Sequence, residues 1–325
     1  MSQPSVAGPM DRSEVLTLGE TMALFRAQAT GPLPQVSSWA LGIGGAESNV
    51  AVALRRLGRS VVWVGRVGAD SLGDLVLREL TAEGVTTVAV RDEDAPTGLM
   101  IKERRTQQTQ RVWYHRKGSA GSRLCPGDLP LERIAAARLL HVTGITPALS
   151  ATAAAAVSTA VSCAKAAGVP VSLDLNYRAA LWSPSDAARW FRSTIPEVDV
   201  VFAGHDEAEL ALGAAGSPLE LAHMLAALGP SQAVVKLGAA GCAAVIDGDE
   251  HTAAAVQVDV LDSVGAGDAF VAGYVAELLE GCDVPTRLST ATRVGAFACM
   301  VPGDWEGMPR REELALLEQH EPVTR

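Results

Sequence analysis

Lysine is nearly missing from this 325-residue chain: Lys102, Lys117, Lys165 and Lys236 are its four, and none follows a glycine. A GxxxxGK[ST] phosphate loop is therefore absent, and a P-loop ATPase is excluded. Positive charge is short overall, with 27 basic against 37 acidic residues and a net charge of −10, which argues against nucleic acid as a partner. The five cysteines (Cys125, Cys163, Cys242, Cys282, Cys299) are an odd number without a C-x-x-C pair, so neither a disulfide frame nor a zinc site is expected. No GxSxG elbow supports a hydrolase, and the six histidines lack metal-ligand spacing. A membrane span is not expected either. The most apolar window, Ala153 to Val171, is broken by serine, threonine, Lys165 and Pro170. No segment repeats at a period of 20–50 residues, which sets solenoids and propellers aside. Residues 1–13 read as a loose Ser/Pro/Gly-rich tail rather than a signal peptide, and scattered thiols suit a cytoplasmic chain.

What is present is a recurring unit of short apolar run, glycine and longer helical pattern. Strand-like runs fall at Glu14–Leu18, Ser60–Val64, Leu139–Thr143, Val171–Leu175, Val198–Ala203, Ala233–Leu237 and Cys242–Ile246. Helical patterns occupy Ser48–Leu57, Leu72–Ala82, Ser150–Ala167, Pro184–Phe191 and Pro218–Leu228, with Gly58 and Gly281 as candidate left-handed caps. This alternation predicts an α/β fold with a mainly parallel sheet and helices on both faces. Two stretches break the rhythm. Residues 25–40 read as extended loop, and residues 98–117 as a hairpin with a polar turn from Arg104 to Gln110. Together they suggest a small inserted β lid, the alternative being an edge hairpin of the main sheet.

The strongest chemical signal is Asp262-Ser263-Val264-Gly265-Ala266-Gly267-Asp268, read as lying between a strand-like run, Ala255–Leu261, and a helix from Phe270 to Glu280. Glycines at a helix entry leave backbone N–H groups free to bind an anion. Asp268 in the first turn can take a proton from a hydroxyl attacking that anion, although a simple helix cap fits the spacing equally. Gly42-Ile43-Gly44-Gly45-Ala46-Glu47-Ser48-Asn49 lacks the third glycine of a dinucleotide fingerprint, and suits hydrogen bonding to a polyhydroxylated ligand. Lys236-Leu237-Gly238-Ala239-Ala240-Gly241 leaves room for an adenine or ribose, or is a plain β-turn. Tyr114-His115-Arg116 and Asn176-Tyr177-Arg178 set two guanidinium forks, one on the lid and one at a strand end, where they suit a carboxylate or form surface ion pairs.

Taken together, Gly44–Asn49 and Asp262–Asp268, in that order with Lys236–Gly241 between them, resemble the ribokinase-like (PfkB) carbohydrate kinase family from about Val15 to the C-terminal helices. Arg116–Ser122, Gly144–Ser150 and Asp174–Arg178 are similar to segments of its branch that acts on 2-keto-3-deoxygluconate. The resemblance implies one ribokinase-like three-layer domain across 1–325, and ATP-dependent phosphorylation of that sugar acid to 2-keto-3-deoxy-6-phosphogluconate. Asp268 would be the base, with the Gly265, Ala266 and Gly267 amides as anion hole. Implied nucleotide contacts are Asn176, Tyr177, Arg178, Gly204, Lys236, Leu237, Gly238, Ala239, Ala240, Gly241, Cys242 and Gly265 to Asp268. Implied sugar contacts are Gly45, Ala46, Glu47, Ser48, Asn49, Met100, Tyr114, His115, Arg116, Arg178, Asp268 and Asp304.

Two positions depart from the pattern. Met100 stands where similar kinases carry a tyrosine, and Gly204 where the N-x-x-E motif has Asn or Ser, leaving Glu207 to organise Mg²⁺ through water. A monovalent cation and a homo-oligomer joined through the lid are also implied. A neutral-sugar kinase of fructokinase or ribokinase type, and a sugar-acid sensor without turnover, stay open as alternatives.

Overall fold

The computed structural model describes residues 14–106 and 109–318, so the tail expected at 1–13 lies outside the described residues. In chain order the first strands are β1 (Val15–Leu18), β2 (Met22–Ala27), β3 (Trp39–Gly44), β4 (Val61–Gly68), β5 (Thr86–Asp92), β6 (Leu99–Arg104) and β7 (Gln110–His115). They are followed by β8 (Leu139–Thr143), β9 (Val171–Asp174), β10 (Val200–Gly204), β11 (Gln232–Lys236), β12 (Cys242–Ile246) and β13 (Asp249–Ala253). The helices are α1 (Ala46–Arg56), α2 (Ser71–Ala82), α3 (Leu131–Ala136), α4 (Ile145–Leu149) and α5 (Ala151–Ala166), then α6 (Pro184–Thr194), α7 (His205–Leu212), α8 (Pro218–Ala226), α9 (Ala266–Glu280) and α10 (Val284–Ala298).

Nine strands make the central sheet, in the order β13-β12-β11-β10-β9-β8-β1-β4-β5. Strands β11 through β5 in that order run parallel, and β12 and β13 are antiparallel additions at one edge. Valine- and leucine-rich runs suit such strands because helices cover both faces. On one face α1, α2, α9 and α10 bury Trp63, Phe202 and Tyr274, the last two packed edge to face with centroids 5.3 Å apart. On the other, α5 to α8 cover Leu16, Val62, Leu140 and Leu173. The direction of sequential strands reverses at β1, whose neighbours are β4 on one side and β8 on the other. In open α/β sheets ligands settle beyond the carboxyl ends at such a point.

The lid is a separate four-stranded sheet, β3-β2-β6-β7, and not an edge of the main one. Its first part differs from the loop expected at 25–40. Met22–Ala27 and Trp39–Gly44 pair as a hairpin whose connection alone is irregular, because each strand finds a partner only once the lid is assembled. The strand expected at Ala255–Leu261 is corrected: residues 254–260 carry no ladder. The segment leaves the sheet edge, and the Leu261 and Asp262 N–H groups bond the Cys299 carbonyl instead. Among the described residues, no helix is long and apolar enough to cross a membrane.

Helices α9 and α10 approach closely at Gly273, where an added Cβ would stand 2.9 Å from the Ala291 Cα. Backbone cannot yield as a flexible side chain does, so Gly273→Ala should destabilise the fold by about 1–3 kcal/mol in urea unfolding. An unchanged midpoint would mean the helix pair separates freely.

Candidate active site

At the start of α9, Gly265 adopts φ +81, and any Cβ there would collide with the Asp304 carbonyl at 1.9 Å. Only glycine meets both demands. The tight entry sets Asp268 in the first helical turn, 8% exposed. Asn49 of α1 donates to Asp268 Oδ2 at 2.8 Å, and Asn176 beyond β9 donates to Oδ1 at 3.3 Å. Asn176 holds φ +42, a left-handed conformation that asparagine tolerates better than most residues. Burial pushes the Asp268 carboxyl up to about 7; the Asn49 hydrogen bond opposes the rise and nearby Asp174 adds to it. A carboxyl poised there can exchange a proton near neutral pH.

Beside it, Lys236 at the end of β11 donates to both oxygens of Asp174, each at 2.7 Å. Burial opposes the lysine's charge, yet Asp174, Glu207 and Asp268 together hold its pKa above the usual range. Glu207 uses one oxygen on the Gly204 N–H at 2.6 Å and the other on the Tyr177 N–H at 2.8 Å. It therefore ties the entry of α7 to the Asn176 loop. Its carboxylate and that of Asp174 offer hard oxygen atoms already engaged by protein donors. That chemistry fits Mg²⁺ that keeps most of its waters, rather than an all-protein cage.

The lid contributes three polar contacts from above. Lys102 of β6, 2% exposed, lies 2.7 Å from Asp262 and 3.0 Å from Asp304. Arg116 pairs with the buried Glu20 just beyond β1, at 2.6 Å. Trp305 donates its indole N–H to the Ile43 carbonyl at 3.1 Å, fixing the segment that carries Asp304 against β3. Burial raises the Asp304 carboxyl while Lys102 opposes the rise.

Three adjoining cavities surround this cluster. A central one of about 400 Å³ is lined by Lys102, Asp174, Arg178, Glu207, Lys236 and Asp268, among others. A smaller one of about 70 Å³ shares Met100, Tyr114, Arg178, Gly265, Asp268 and Asp304 with it, and adds Glu20, Gly45, Ala46, Asn49 and Arg116. A third, about 430 Å³ and mostly apolar, meets the central one at Lys236, Ser263 and Gly267. Gly238, Ala239, Gly241, Val256, Val258, Ala266 and Cys299 are among its walls. Asp268 thus stands between a polar pocket under the lid and a groove that ends in an apolar slot.

Most of the expected site residues meet here, and several do not. Glu47 is fully buried beneath its helix, where it accepts hydrogen bonds from Thr143 and Thr146 at 2.7 Å and packs against Gly19. Ser48 bonds back to the Gly45 carbonyl, as a local turn. Only the Asn49 side of that helix entry reaches a cavity, since neighbouring helical residues diverge by about 100°. His115 is exposed outside the cavities, and Cys242 is buried in β12. Tyr177 turns into the core, its hydroxyl toward the Trp182 carbonyl, while its backbone meets Glu207. Leu237 and Ala240 line only a shallower hollow beside α7, which Gly204 shares with the central cavity. The two guanidinium forks are also unequal: Arg116 is already neutralised by Glu20, whereas the exposed Arg178 bonds, among the described residues, only the Tyr177 carbonyl.

Glu20, Lys102 and the 256–258 wall were not read from the sequence. Glu20 follows the carboxyl end of a central strand, and Lys102 interrupts an apolar strand in a chain with four lysines. Those were the available signals.

The chain matches the model of the pfkB family carbohydrate kinase over residues 12–311. It is 37% identical over 309 residues to a 2-dehydro-3-deoxygluconokinase of Bacillus subtilis (strain 168), covering 93% of this chain and 94% of that one. A 2-dehydro-3-deoxygalactonokinase of Haloferax volcanii is 34% identical over 294 residues, covering 90% and 92%. The crystal structure of 2-dehydro-3-deoxygluconokinase from Thermotoga maritima superposes with a TM-score of 0.88 at 27% identity, covering 94% of this chain and 98% of that chain.

The electrostatics of Asp268 can be checked on the protein alone. Carbon-13 NMR of aspartate-labelled protein should show one carboxyl titrating near 7, absent from Asp268→Asn, and shifted upward in Asn49→Ala because its donor is gone. A titration confined to the ordinary aspartate range would contradict the burial argument.

Proposed function

The chain belongs to the pfkB family of carbohydrate kinases, and from that premise we propose that it transfers the γ-phosphoryl group of ATP to the terminal hydroxyl of 2-keto-3-deoxygluconate. The observation that carries the reading is Asp268, buried at a helix N-terminus between the lid pocket and the groove, with a carboxyl near neutrality. The hydroxyl oxygen attacks the γ-phosphorus, its proton passes to Asp268, and the bond to the bridging oxygen breaks to release ADP. Amides of Gly265 and Gly267 would face the charge that spreads over the phosphoryl oxygens, whereas the Ala266 N–H expected to join them is donated to the Ser263 carbonyl at 3.3 Å. The apolar slot suits adenine. Magnesium, carried with the phosphates, would be held through water by Glu207 and Asp174 and would neutralise phosphate charge.

Under the lid, Gly45, Ala46, Asn49, Tyr114 and Asp304 would hold the sugar's hydroxyl end, and Arg178 its carboxylate. Arg178 suits that role because no protein carboxylate pairs with it among the described residues. Arg116 would add a guanidinium edge left over from Glu20. Where Met100 lines this pocket it supplies no hydroxyl, so the sugar acid is read from charge and not from that position. We take the chain to work as one kinase unit. Exposed Leu41 and Trp113 on the lid support self-association through that sheet.

The reading has a direct kinetic test. Asp268→Asn should lower kcat by roughly 10²–10⁴ with a much smaller change in sugar affinity. Because the free carboxyl must be ionised to accept a proton, kcat/KM in the wild type should rise with pH through about 7 and then level off. Near-normal turnover in the Asn variant would leave Asp268 as a helix cap.

Substrate class is tested separately. Arg178→Ala should cost about 10- to 150-fold in kcat/KM for the acid, the equivalent of one charge-assisted hydrogen bond, and far less for a neutral hexose. An equal loss on both, or a wild-type preference for fructose or ribose, would favour a neutral-sugar kinase.

A further inference from the structure

Lys102 enters the site from the lid, yet its ammonium belongs electrostatically to the body. It lies 2.7 Å from Asp262 Oδ2, 3.0 Å from Asp304 Oδ1 and 3.4 Å from the Gly303 carbonyl. Three acceptors match the three N–H groups of a lysine, which is what burial to 2% exposure demands. Asp262 spends its remaining capacity on the Val264 and Gly303 N–H groups, both at 3.1 Å. One ammonium therefore joins β6, the loop that opens α9 and the segment carrying Asp304.

The two oxygens of Asp304 are not equivalent. Lys102 occupies Oδ1. Oδ2 meets no protein donor among the described residues and lies against the bare backbone of Gly44, where a Cβ would stand 2.5 Å from it. Asp304 lines both cavities that meet at Asp268. The oxygen left free is thus the one that can accept a hydrogen bond from a ligand hydroxyl.

We infer that Lys102 is a positioning residue for sugar recognition: by holding Asp304 Oδ1 it aims Oδ2 at a sugar hydroxyl, and it does so only while the lid is seated. The inference rests on the reading that Asp304 contacts the sugar. A lysine that merely glued the lid down would act on both substrates alike, and its effect would not depend on Asp304.

Steady-state kinetics with 2-keto-3-deoxygluconate and ATP on the wild type, Lys102→Met, Asp304→Asn and the double variant separate these cases. Lys102→Met should raise the sugar KM about tenfold and leave the ATP KM within about twofold, and in the Asp304→Asn background it should add less than about twofold. Equal changes in both KM values, or full multiplication of the two effects in the double variant, would overturn the inference. If Asp304→Asn alone leaves the sugar KM unchanged, the assignment of Asp304 falls first, which distinguishes the two failures. Should Lys102→Met not fold, Lys102→Arg keeps the charge with a different fork. A rise in sugar KM alone then supports the role, and no change or an equal change in both rejects it.

Discussion

Taking the Asp268 carboxyl out of water makes its ionised form costly, and the groups around it reflect that cost. Two asparagine amides from distant parts of the chain grip its two oxygens, and a helix start supplies backbone N–H groups nearby. Lys236, clamped by Asp174, adds a positive charge while remaining paired itself. Neither neutralisation nor full ionisation wins, which leaves the proton easy to move near pH 7. The sheet serves this balance directly: β9 brings Asp174 and Asn176, β10 leads to Glu207, and β11 ends in Lys236.

The lid follows a different logic. Its strands share one small apolar cluster, Met22, Leu24 and Met100, with Val112 packed against it. Ala23 and Ile43 also join the body's core, and ion pairs with the body, Lys102 with Asp262 and Asp304 and Arg116 with Glu20, seat the rest of the lid. Buried pairs of this kind add little net stability but strongly penalise any arrangement that separates them. They make the seated geometry specific without making it rigidly apolar.

Much of this was legible in the sequence where a local rule acts. Leu139–Thr143 and Cys242–Ile246 are strands with the bounds expected from their apolar runs, and Asp268 sits in the first turn of its helix. Strand β3 was hidden because Trp39–Gly44 is glycine-interrupted and acquires its ladder only from β2. Residues 255–261 alternate like a strand but have no neighbour to pair with. Glu47 looked like a ligand beside Asn49 because composition cannot say which way a helix faces. Lys102 and Glu20 carry no motif, and their partners lie far along the chain, so only the folded geometry assigns them.

The span of those pairings has a consequence for how the protein is made. Glu20, Asn49 and Lys102 are synthesised well before Asp262, Asp268 and Asp304. Until those residues leave the ribosome, Lys102 lacks the two carboxylates that pair with it in the folded protein. A nascent chain therefore carries an unpaired cation while the roughly 160 residues between Lys102 and Asp262 are made, and sugar recognition has to wait for the later segment.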